Sequence, residues 1–80
     1  MEIHATLHTG NTIALDVAAS DTVYSVKIQI RTKTGIPARH QGLVFKGVRM
    51  ENAKKLKKYS IIKGSTVEEA GIGKTTKQNK

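Results

Sequence analysis

The apolar residues of this chain change period once, and that change limits what the chain can fold into. Over residues 1–17 they recur at every second position, first as Met1, Ile3 and Ala5, then as Ile13, Leu15 and Val17. Period two is the mark of strands with one buried face. Between the two runs, His8-Thr9-Gly10-Asn11 supplies a glycine and an asparagine for a reversal, so residues 1–17 predict a β-hairpin. After Ser20-Asp21-Thr22 the spacing becomes helical, with Val23, Val26 and Ile30 on one stripe. Each of those three polar residues can cap a first-turn N–H. Gly35 suits a left-handed stop, and Pro37 cannot continue a helix. The spacing therefore predicts a helix over residues 23–34, about three turns long.

The remaining chain reads as short strands. Gln41 to Phe45 places Leu43 and Phe45 on one face, Lys46-Gly47 turns, and Val48-Arg49-Met50 returns. Asn52 to Lys58 is polar and basic with Leu56 as its anchor, and Tyr59, Ile61 and Ile62 are expected to turn back to the core. Thr66-Val67 opens a last strand after Gly64-Ser65. From Gly71 the composition is Gly, Lys, Thr, Gln and Asn, that of a tail or linker. The expected organisation is one folded domain over residues 1–70 and a basic flexible tail over 71–80, in the α+β class.

Composition narrows the chemistry. Eighty residues make one small domain with a modest core. With no cysteine, the chain has no disulfides, no thiol nucleophile and no Cys-based zinc site. No apolar run approaches the roughly 20 residues of a membrane span, and no signal-peptide pattern opens the sequence. A cytoplasmic monomer without membrane contact is the expectation. Charge is uneven. Residues 1–45 carry Lys27, Arg31, Lys33 and Arg39 against Glu2, Asp16 and Asp21, a net of +1; residues 46–80 carry ten Lys and Arg against Glu51, Glu68 and Glu69, a net of +7. Such asymmetry suits a polyanionic neighbour. The densest basic patch is Lys46, Arg49, Lys54, Lys55, Lys57 and Lys58. Aromatic interleaving is nearly absent, so this patch would touch phosphates rather than stack bases. A solvated lysine face is the plainer reading.

Other motifs dissolve on inspection. Gly73-Lys74-Thr75 resembles the end of a phosphate-binding loop, but the first glycine of that motif would fall at Glu68. His4, His8 and His40 have no metal-ligand spacing, and surface histidines on the outward face of the hairpin are the default. Tyr24 and Ile28 lie off the apolar stripe of the helix and read as scattered exposed residues. No catalytic constellation or cofactor motif is present, so the chain reads as a non-enzyme.

Several spacings taken together resemble the ubiquitin family. They are Met1-x-Ile3, Thr9-Gly10-x-Thr12-Ile13-x-Leu15-x-Val17, Ser20-Asp21-Thr22, Val26-Lys27-x-x-Ile30, Lys33-x-Gly35-Ile36-Pro37, Gln41-x-Leu43-x-Phe45-x-Gly47, Leu56-x-x-Tyr59-x-Ile61-x-Lys63 and Ser65-Thr66. The match runs without gaps from Met1 to about Val67. It implies a β-grasp, a mixed sheet wrapped over one helix.

The family's functional sites are implied only in degraded form. Where ubiquitin ends in an arginine-rich strand and a glycine pair, this chain has Ala70-Gly71-Ile72-Gly73-Lys74, so Gly71, Ile72 and Gly73 form a degenerate processing site. The aliphatic recognition patch of ubiquitin corresponds to His8, Val44 and Ala70, with Gly42 and Glu68 at its rim. Of the chain-building lysines, Lys27, Lys33 and Lys63 remain, while Thr6, Asn11, Gln29 and Val48 replace the others. The resemblance therefore implies a non-conjugated module. Ubiquitin is also made as a leader fused to basic ribosomal proteins, and Lys74-Thr75-Thr76-Lys77-Gln78-Asn79-Lys80 resembles the start of such an extension. The leading expectation is a leader of that kind, which folds early, aids the solubility or assembly of a ribosomal protein segment and rests against ribosomal RNA. The alternatives are a free-standing interaction domain and a ubiquitin-type modifier. One departure concerns stability. Position 69 should point inward, yet it holds Glu69, and escape of this carboxylate to water would fray the last strand after Val67.

Overall fold

The computed structural model describes residues 1–71. Strands β1 (Glu2–Thr6) and β2 (Thr12–Asp16) form the hairpin, and helix α1 (Val23–Thr34) follows. Strands β3 (Gln41–Phe45) and β4 (Val48–Arg49) form a second hairpin, and β5 (Thr66–Gly71) closes the described chain. The sheet order is β2-β1-β5-β3-β4. β1 and β5 run parallel at its centre, with Ala5 opposite Val67, and the other pairs are antiparallel. This is the mixed β-grasp sheet expected from the sequence.

The helix has the expected bounds. Thr22 Oγ1 accepts from Ser25 N–H at 3.2 Å, and Gly35 (φ 83°) donates its N–H to Arg31 O at 2.7 Å. The first-turn N–H groups also find main-chain partners: Val23 donates to Lys54 O and Tyr24 to Asn52 O. The buried stripe is Val23, Val26, Lys27 and Ile30. Those are positions i, i+3, i+4 and i+7 of one helix face. Val23, Val26 and Ile30 pack with Ile3, Leu15, Leu43, Leu56, Ile61 and Val67 in a single core.

One local feature differs from expectation. Ile62 is 67% exposed, so only Tyr59 and Ile61 turn inward after the 3₁₀ turn Leu56–Tyr59. Ser60 takes a left-handed conformation (φ 62°) and sends the chain outward, which is why two adjacent isoleucines end in different environments. The β3–β4 reversal puts Lys46 (φ 52°) and Gly47 (φ 81°) both at positive φ, the geometry of a type I′ turn.

Helix and sheet are joined by one buried amide. Gln41 Nε2 donates to Lys27 O and to Ile36 O, each at 3.0 Å, from a fully buried side chain. It ties α1 and the loop after it to the start of β3. Gln41→Leu keeps the volume but strands Ile36 O without its donor. It should lower the unfolding free energy by about 1–3 kcal/mol. Urea denaturation checks this, and a variant as stable as the parent would show that the amide is dispensable.

Candidate functional site

Strand pairing collects part of the first candidate surface. Val44 stands opposite Glu68 on β5 and opposite Arg49 on β4, while Gly42 stands opposite Ala70. Directly paired residues share a face. Val44 and Ala70 therefore lie together on the outward side of the sheet, half-buried, with exposed Glu68 and Arg49 on either flank. The centre of a docking surface is normally apolar and depleted of charge. Here one branched aliphatic sits between a carboxylate and a guanidinium.

His8 does not join them on that face. Its Nδ1 lies 2.8 Å from Glu69 Oε1, and its main-chain N–H donates to the same oxygen at 3.2 Å. Glu69 occupies the inward side of β5, and its side chain is 0% exposed against 27% for His8. One hydrogen shared between Nδ1 and Oε1 joins ring and carboxyl. This corrects the expectation that Glu69 would leave the core and fray β5. The strand continues to Gly71, because the parallel register of Thr6 with Glu68 brings the β1–β2 turn level with Glu69. Glu69 Oε2 has no partner, so burial remains costly for this group.

The six basic residues are spread over several places. Lys46 and Lys58 border one shallow groove beside Phe45 and Tyr59, and Lys46 Nζ sits 5.3 Å from the centre of the Phe45 ring. Arg49 borders a second groove with Lys27 and Arg39. Lys54, Lys55 and Lys57 lie on the loop against the N-terminal end of α1.

Residues 3–70 match the model of the ubiquitin family. The chain belongs to that family. It is 36% identical over 59 residues to the ubiquitin-like protein NEDD8 of Dictyostelium discoideum, across 74% of this chain and 77% of that one. It is 31% identical over 67 residues to the NEDD8-like protein RUB3 of Arabidopsis thaliana, across 84% and 86%. It is also 36% identical over 59 residues to phosphatidylinositol 4-kinase gamma 2 of Arabidopsis thaliana, across 72% of this chain and 11% of that enzyme.

In this ubiquitin-family domain the residues expected to form a degenerate processing site begin where β5 ends. Gly71 pairs with Gln41 as the last residue of the strand, and Ile72 and Gly73 lie outside the described residues. Sequence reasoning missed two groups. The His8–Glu69 pair was signalled by a carboxylate at an inward strand position, which demands a donor nearby. Lys27 was signalled by its place on the buried stripe, four residues after Val23. Burial, and then the nearby Arg49 charge, lower its pKa below the usual lysine value.

The pair makes a signed prediction. His8→Ala leaves the buried carboxylate without its ring donor and should cost about 1–3 kcal/mol of stability. Glu69→Leu should instead add about 1–3 kcal/mol, since an apolar side chain suits the site and the partly exposed ring can turn to water. The double variant should lie near Glu69→Leu alone. Denaturant midpoints measure all three, and a Glu69→Leu protein weaker than the parent contradicts the scheme.

Proposed function

We propose that this ubiquitin-family domain is a non-enzymatic, non-conjugated module, carried in the cytoplasm as the leader of a basic ribosomal protein. The observation that carries the reading is the sequence Gly71-Ile72-Gly73-Lys74, which begins at the last residue of β5. Ile72 separates the glycines, so no glycine pair is presented for cleavage, and no freed glycine carboxylate is available for activation. The charged flanks of Val44 support the same reading, since they weaken the face through which ubiquitin is read. The kinase relative, in which the matched region spans 11% of the chain, supports a domain of this size working inside a longer protein. The lysine-rich stretch from Lys74 to Lys80 supports a ribosomal partner segment, and the net of +7 over residues 46–80 supports contact with ribosomal RNA. The competing reading is a modifier, favoured by the coverage of the NEDD8-named relatives, 77% and 86%.

The two readings separate on activation chemistry. Incubated with a ubiquitin- or NEDD8-activating enzyme and ATP, the domain should give no reductant-sensitive thioester band. Such a band would establish the modifier instead. The leader reading also requires an open reading frame that continues past Lys80 into a basic segment, and a stop codon there excludes it.

RNA contact has its own signature. Binding should be weak, indifferent to sequence and strongly reduced by salt, with each phosphate contact adding about 0.7 to the log–log salt slope on single strands. Neutralising Lys54, Lys55, Lys57 and Lys58 with glutamine should flatten that slope. An unchanged slope leaves these lysines as solvated surface.

A further inference from the structure

A groove of about 560 Å³ opens between α1, the 3₁₀ turn Ala38–His40 and the end of β4, bordered by Lys27, Arg39, Gln41, Arg49, Glu51 and Asn52. Lys27 is only 6% exposed. Among the described residues no carboxylate lies within ion-pair distance of its ammonium, and no hydrogen bond reaches it. Its charged neighbour Arg49 has the same sign. The stem of Lys27 is packed away, while its ammonium opens on the groove, where no carboxylate of the described residues pairs with it. A second orphan lies beside it. Gln41 spends its amide N–H groups on Lys27 O and Ile36 O, and its Oε1 has no partner although fully buried. The groove thus holds three cations against one carboxylate, Glu51.

We propose that this groove is an oxyanion site that binds a phosphate dianion, with Lys27, Arg39 and Arg49 as its donors. The three cations less Glu51 balance a charge of two. Guanidinium forks match phosphate geometry, and Lys27 acts as the point charge at the base. The bound anion would supply the counter-charge that the fold withholds from Lys27, and would relieve the repulsion between Lys27 and Arg49. The source of the phosphate is either a free small molecule or a phosphorylated side chain of a partner protein.

The test is a titration of the full chain with inorganic phosphate at fixed ionic strength, followed by amide and lysine-ammonium NMR shifts. Saturable shifts are expected at Lys27, Gln41 and residues 49–52. Lys27→Met should weaken binding about tenfold or more, the loss of one charge-assisted contact. Lys55→Met, on the loop outside the groove, should leave affinity unchanged, and Glu51→Gln should strengthen it. Should Lys27→Met not fold, Arg49→Gln and Glu51→Gln still test the site through their opposite signs. Shifts that do not saturate and spread over all exposed lysines overturn the proposal, as does groove binding indifferent to Arg49 and Glu51. A phosphoserine peptide that binds more tightly than phosphate, while its unphosphorylated form does not bind, assigns the site to a partner protein. Equal affinity for peptide and phosphate assigns it to free phosphate.

Discussion

The parallel pairing of β1 with β5 closes this molecule. A parallel pair cannot be joined by a tight turn, so the chain between the two strands must leave the sheet and return. Here that excursion contains the helix, the second hairpin and the 3₁₀ turn, so each of these elements is positioned by a contact between the opening and closing strands of the sheet. Ala5 and Val67 meet at the centre of the sheet and are both buried. β2 hangs on one side of this pair and the β3–β4 hairpin on the other. Such non-local closure makes folding depend on loop entropy as much as on local propensity.

Elements built on local rules were legible in the sequence. α1 has its own cap, its own stop and an apolar stripe, and its bounds agree with the expectation. The two hairpins carry turn residues between alternating runs, and they pair as expected. What could not be read depends on distant neighbours. The Glu69 carboxylate looked destined for water because its donor, His8, is 61 residues away and reaches it only through the parallel register. Ile62 looked like core because nothing local announces that Ser60 adopts a left-handed backbone.

Three polar side chains, Lys27, Gln41 and Glu69, occupy inward positions where apolar residues would serve packing equally well. Gln41 and Glu69 are each partly satisfied, with one oxygen left over. Each polar contact is directional where an apolar contact is not. Gln41 fixes the distance between the helix end and β3, and Glu69 fixes the β1–β2 turn against β5. Glu69 exchanges stability for a single arrangement of parts, a trade that buried polar groups make in some proteins, while Gln41 contributes both.

The loop from Asn52 to Lys57 is held in place by its backbone. Asn52 O and Lys54 O receive the first N–H groups of α1, Leu56 N–H donates to Asp21 O, and Lys57 N–H donates to Ala19 O. None of these bonds involves a lysine side chain. The loop's charge and its anchorage are therefore independent variables. Descendants of this sequence can rewrite what the loop displays, even reversing its sign, while the scaffold beneath it keeps its shape.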